Sequence, residues 1–131
     1  MTPPDEWAGL TRFSFGDSPA LADELLALVL AGRKTATCSA AVDGPLSTVG
    51  ELAVVLDGAG VPAAVIETVE YTQRHFDQVD AAFAHDEGEG DRSLAHWRQA
   101  HERYFRRLGR FAPDMMLYCE RFRLVARLQP R

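Results

Sequence analysis

The sequence predicts an α+β fold in which a curled, largely antiparallel sheet carries a few helices. Three observations lead there. The chain has 131 residues, 47% hydrophobic and 25% charged, the size and balance of one globular domain. Two β-rich runs, Glu51 to Leu56 and Pro62 to Thr72, flank the turn residues Asp57-Gly58-Ala59-Gly60, which makes a hairpin. Finally, the order β-α-β-β-β-α-α-β has too few helices between strands for a parallel sheet.

In chain order, Leu10 to Phe15 alternates and is read as a short strand, stopped at Gly16-Asp17. Ser18-Pro19 is a helix start, an N-cap followed by a residue whose missing N–H costs nothing there. Leu21, Leu25, Leu28 and Val29 follow at helical spacing, and Gly32 is the expected stop. Thr35 to Ala41 is small and β-branched and reads as a strand, before a loop through Asp43-Gly44-Pro45. After the hairpin, Phe76 to Ala84 reads as a short helix and His85 to Asp91 as an acidic, glycine-punctuated loop. Leu94, Trp97, His101, Tyr104, Phe105 and Leu108 make a second amphipathic helix, capped by Asp91 or Ser93. Met115 to Val125 is the long final strand. Nothing divides the chain, so residues 1–131 are read as a single domain with its core at about 13–125.

Net charge is −5. That disfavours a broad grip on duplex nucleic acid, which needs many phosphate contacts. The charge is uneven: residues 1–91 carry 4 basic and 16 acidic side chains, residues 92–131 carry 10 and 3. Such asymmetry makes either a basic face or complementarity between two halves. No apolar run reaches the roughly 18 residues of a membrane span, Met1 to Trp7 has no basic leader, and Cys38 and Cys119 form no CxxC pair. A cytoplasmic location with reduced thiols is expected.

Lys34 is the only lysine; every other basic residue is arginine. Lysine, unlike arginine, can lose its proton when desolvated. Thr37 lies three residues on, so Lys34 and Thr37 make a candidate base and nucleophile, provided Lys34 titrates below the ~10.4 of a free lysine. A third group is sought in the acidic loop, at Glu87 or Glu89. His75, His85, His96 and His101 form no dense ligand pattern; His85-Asp86-Glu87 offers ligand types, but no metal or other cofactor is expected. His101 reads as an interior histidine, Trp97 and Tyr104 as core rings able to stack on a base, and Glu120 as a carboxylate paired with an arginine.

Taken together, Gly32-x-Lys34 with Thr37, the hairpin, the Glu87-Gly88-Glu89-Gly90-Asp91 loop, the Leu94-x-x-Trp97 helix with His101, and Cys119-Glu120-Arg121-Phe122 resemble the activating-signal-cointegrator homology (ASCH) domains over about Phe13 to Val125. The resemblance implies a PUA-like fold, a small mixed or antiparallel β-barrel with surrounding helices, and a cleft carrying a GxKxxExR motif. It also implies an RNA-related role. Thr37 replaces the motif's glutamate and Ser39 its arginine. Threonine at that position is similar to the branch that hydrolyses N4-acetylcytidine, which implies a catalytic set of Lys34, Thr37 and Glu87 with no cofactor. Arg33, Thr35, Ser39, Glu89, Trp97 and Arg98 are assigned to substrate or RNA contact. The partner expected is RNA or a modified nucleoside, acted on by an amidohydrolase. The alternatives are a non-catalytic RNA-binding module and a metal-independent ribonuclease.

Overall fold

The computed structural model describes residues 7–128; the stretch 1–6, read above as carrying no basic leader, lies outside them. The elements are β1 (Thr11–Phe13), α1 (Pro19–Leu30), β2 (Ala36–Ala40), β3 (Leu52–Leu56), β4 (Pro62–His75), α2 (Ala81–Glu87), α3 (Leu94–Arg107) and β5 (Met116–Arg127). The strands form one five-stranded sheet in the order β1-β3-β4-β5-β2. Hairpin β3–β4 and the β4–β5 and β2–β5 pairs are antiparallel, while β1 joins β3 in parallel. This mixed sheet curls into a half-barrel with three α-helices around it, an α+β fold as the sequence predicts.

Alternation along β5 sorts the core. Leu117 and Cys119 pack with Phe76, Val79, Phe83, Trp97 and Phe105 beneath α2 and α3. Phe122 points the other way, into a cluster with Phe15, Leu25, Leu26, Val29 and Ile66 under α1. Ser18 caps α1 through its hydroxyl, which accepts from the Leu21 N–H at 3.2 Å. Gly32 lies just past the helix with φ +79°, and the amides of Arg33 and Lys34 both donate back to the Leu28 carbonyl. The chain therefore leaves α1 by a tight left-handed stop that turns Lys34 inward.

The helix expected at Phe76 to Ala84 lies further along the chain. β4 runs on to His75, a 3-10 turn occupies Phe76–Gln78, and α2 starts only after Asp80, whose carboxylate accepts from the Phe83 N–H at 2.9 Å. The shift carries α2 through Glu87, so the expected loop at His85 to Asp91 is helical in its first three residues.

Gly88 ends α2 with φ +78°, and a Cβ on it would lie 2.4 Å from the Arg33 carbonyl oxygen. Only glycine lets the end of α2 come this close to the Lys34 segment. Gly109 has a similar φ of +70° but open space around it. We expect Gly109→Ala to cost about 1–3 kcal/mol, the left-handed strain alone, and Gly88→Ala to cost clearly more, because strain and clash add. Urea denaturation of both variants measures the difference; equal losses would contradict the close-approach role.

Candidate functional site

Lys34 is buried, with 1% of its side chain exposed, and its ammonium uses all three protons. It donates to the Ala36 carbonyl at 2.9 Å, to Glu87 Oε1 at 3.0 Å and to Glu89 Oε2 at 3.1 Å. Glu87 is equally buried, and its second oxygen accepts from the Trp97 indole N–H at 3.0 Å. Glu89 is 20% exposed and reaches the cavity. His101 stacks on Trp97 with ring centres 4.3 Å apart and turns Nε2 to within 3.5 Å of Glu87 Oε1. Its Nδ1 lies 2.9 Å from the Trp97 carbonyl, which can only accept, so Nδ1 carries a proton.

These contacts set the charges. Burial opposes the charge on Lys34, but Glu87 and Glu89 outweigh it and raise the ammonium above its ordinary value. Burial likewise opposes ionisation of Glu87, yet Lys34, His101 and the indole N–H hold the carboxyl far below the usual range. For His101 burial lowers the pKa and the Glu87 carboxylate more than restores it. Burial pushes the Cys38 thiol well up. The neutral Lys34 expected from the sequence is thus corrected: with two carboxylates on it, the resting lysine is a cation.

The cluster opens into a cavity of about 570 Å³, in the roughly 300–1,000 Å³ range of small-molecule sites. Thr37 and Ser39 of β2 line it, facing Glu120 and Tyr118 across the β2–β5 register. None of the Lys34 hydrogen bonds goes to Thr37. Lys34, Thr37, Ser39, Glu87 and Glu89 therefore share one cavity.

Of the residues assigned above to substrate or RNA contact, Arg33, Thr35, Trp97 and Arg98 lie off its lining, whereas His101, Tyr104 and Glu120, read above as interior, core and paired side chains, are on it. Arg33 and Thr35 are exposed. Trp97 is buried behind Glu87, packed on Phe76, with no free ring face on the cavity. Arg98 is exposed and donates to the Asp77 carbonyl. On α3 the cavity is lined by His101 and Tyr104 together with His96, Ala100, Arg103 and Arg107, the last four spaced four, three and four residues apart along one face. That stripe was visible in the sequence but hidden among many arginines. Among the described residues Glu120 has no arginine partner; its Oε2 accepts from the Thr68 hydroxyl at 2.6 Å.

The arginine-rich half is largely tied down within the chain. Arg107 pairs with Asp17, Arg110 with Asp43, Arg123 with Glu67, and Arg121 with Asp86 and Glu70. The charge asymmetry is thus complementarity between two halves. Cys38, Glu87 and His101 bring ligand atoms within 4.8 Å of one another. A metal ion there would have to displace the Lys34 ammonium from Glu87, and His85 and Asp86 turn outward to each other and to Arg121. The set suits proton handling better than a metal.

Removing the Lys34 charge leaves Glu87 buried and unpaired, so Lys34→Met should cost about 3–5 kcal/mol in denaturant unfolding near pH 7. The sign with pH follows from the shifts. The lowered Glu87 contributes stability that is present above its unfolded ~4.3 and lost as pH falls through its folded value. The raised Lys34 contributes stability that is present below ~10.4 and lost as pH rises through its folded value. The contribution of the pair to wild-type stability should therefore be constant between roughly pH 5 and 10. In Lys34→Met burial of Glu87 is no longer offset by the ammonium, so protonating the carboxyl relieves the loss and the penalty shrinks as pH falls. A loss under about 1 kcal/mol near pH 7, or a penalty that grows as pH falls, would contradict the charged pair.

The sequence model of the ASCH domain matches residues 11–126. No curated protein matches the sequence. The crystal structure of an ASCH domain from Lactobacillus crispatus JV V101 is 34% identical, over 92% of this chain and 82% of that one, with a TM-score of 0.78. Protein EF3133 from Enterococcus faecalis V583 is 33% identical over 97% and 79%, with a TM-score of 0.80. An ASCH protein from Zymomonas mobilis shares the fold at 10% identity, over 90% of this chain and 70% of that one, with a TM-score of 0.58. The motif residues, the half-barrel and these matches agree: the chain belongs to the ASCH domain family.

Proposed function

We propose that this ASCH domain is a hydrolase of an acylated nucleoside, free or at an accessible position of RNA, with Thr37 as nucleophile. The observation that carries the reading is the open cavity in which Thr37 shares a lining with the Lys34–Glu87–Glu89 cluster. Its volume of about 570 Å³ suits one nucleoside. The pairing of Arg107, Arg110, Arg121 and Arg123 within the chain favours such a ligand over a long phosphate backbone.

Because resting Lys34 is charged, the roles divide among the carboxylates. Glu89, which carries one hydrogen bond and reaches the cavity, accepts the Thr37 proton as the oxygen attacks the acyl carbon. A C–O bond forms, Lys34 donates a proton to the leaving amine, and the C–N bond breaks. Glu89 then returns its proton to Lys34 along their 3.1 Å hydrogen bond. Water attacks the acyl-threonine ester and gives its proton to Glu89, while Lys34 protonates the departing Thr37 oxygen, and Glu89 again passes its proton back to Lys34. The products are a carboxylic acid and the free amine. Glu87, with both oxygens occupied, positions Lys34.

Acylated nucleosides incubated with the protein should release the free acid. Thr37→Val should reduce turnover at least about a hundredfold, and Lys34→Arg should do the same, because arginine keeps the charge but cannot cycle a proton. Retained turnover in Thr37→Val would overturn the reading. RNA binding that falls steeply with salt, without any nucleoside turnover, would replace it with the binding-module reading.

A further inference from the structure

The cavity has a second polar end that the proposed reaction leaves unused. Glu120 of β5 stands in a row across the sheet, with Thr37 of β2 on one side and Tyr71 of β4 on the other. One of its oxygens accepts from the Thr68 hydroxyl at 2.6 Å. Thr68 in turn lies 2.6 Å from the Ser47 hydroxyl. Since Thr68 spends its single proton on Glu120, Ser47 must donate to Thr68, and the hydroxyl chain is oriented toward the carboxylate. The second Glu120 oxygen has no protein hydrogen bond among the described residues, and no arginine or lysine pairs with Glu120 there.

A half-buried carboxylate held at one oxygen and free at the other is an acceptor waiting for a donor. Burial pushes its pKa up against the Thr68 hydrogen bond, so this site lacks the compensation that Glu87 has. Beside it, Tyr71 and Tyr118 stack with centres 5.2 Å apart and planes 16° from parallel, and both line the cavity. Tyr71 is fixed by accepting the Leu46 N–H at 2.9 Å. An acceptor at the edge of a rigid aromatic wall fits a flat ring that carries an N–H donor.

We infer that Glu120 selects the ligand of this cavity: its free oxygen accepts an N–H from the amino-bearing edge of a planar heterocycle lying along the Tyr71–Tyr118 wall. A keto edge in the same place would set a carbonyl oxygen against the carboxylate. The inference rests on the proposed function only in taking a nucleoside as the ligand. It deepens that reading, because an acylated amine held at Glu120 has its N–H on the carboxylate and its carbonyl carbon toward the neighbouring Thr37.

The test is calorimetric binding of cytidine, adenosine and uridine to the intact protein, with no turnover involved. The amino-bearing nucleosides should bind roughly tenfold or more tightly than uridine. In Glu120→Gln the side-chain amide can donate to a keto group, so the preference should vanish or invert. Glu120→Asp withdraws the carboxylate by one carbon and should lose the preference without inverting it; it decides the matter if the glutamine variant lacks a cooperative thermal transition. Wild type that does not discriminate, or discrimination unchanged in the variants, overturns the inference. Selective binding without hydrolysis of any acylated nucleoside would leave it standing and remove the proposed reaction. Hydrolysis with a selectivity indifferent to Glu120 would do the reverse.

Discussion

The contact between the Lys34 ammonium and the Glu87 carboxylate, 3.0 Å long and almost fully removed from solvent, is what the rest of the structure is arranged to keep. Taking two charges out of water costs several kcal/mol each, and their attraction offsets it only if the remaining protons and lone pairs are also used. They are used. The Ala36 carbonyl and Glu89 take the other ammonium protons, and the Trp97 indole takes the second Glu87 oxygen. Each partner comes from a different element, so the left-handed exit from α1, the glycine end of α2 and the buried face of α3 all serve one contact. A well-packed apolar pair would stabilise a fold of this size at least as well. The retention of a buried charge beside a cavity is therefore the strongest physical reason to assign function there.

Two kinds of electrostatics coexist in the molecule. On the surface, arginines of residues 92–131 pair with acids of residues 1–91 in exposed bridges worth little each. Inside the cavity, Lys34 and His101 balance Glu87 and Glu89, while Glu120 faces the same space with only hydroxyl support. The sheet makes this contrast possible. Its pleat turns Cys119 into the core and the adjacent Tyr118 and Glu120 toward the ligand space.

Much of this was legible in the residues. Ser18-Pro19 and Gly32 bounded α1 by known capping chemistry, the Asp57-to-Gly60 turn located the hairpin, and a lone lysine beside a threonine marked the cavity floor. The misses have physical causes. Asp80 captured the Phe83 amide and moved α2 along the chain, which sequence periodicity over so short a helix cannot reveal. The charge state of Lys34 depends on carboxylates 53 and 55 residues away, and only the tertiary fold brings them near. Arg98 and Arg103 look equivalent in a run of arginines; helical phase sends Arg103 to the cavity and Arg98 to the outer face. Trp97 was read as core or stacking platform, and its indole N–H, invisible to hydrophobic patterning, proved to be a Glu87 ligand.

The most direct measurement exploits the single lysine. Carbon-13 labelling of lysine side chains yields one ε-methylene signal, whose shift with pH reports the ionisation of Lys34 alone. The account predicts that this signal stays that of an ammonium through neutral and mildly alkaline pH and begins to move only above the ~10.4 of a free lysine. A midpoint well below that value, near neutrality, would mean a neutral buried amine and would contradict the charged cluster on which the site is built.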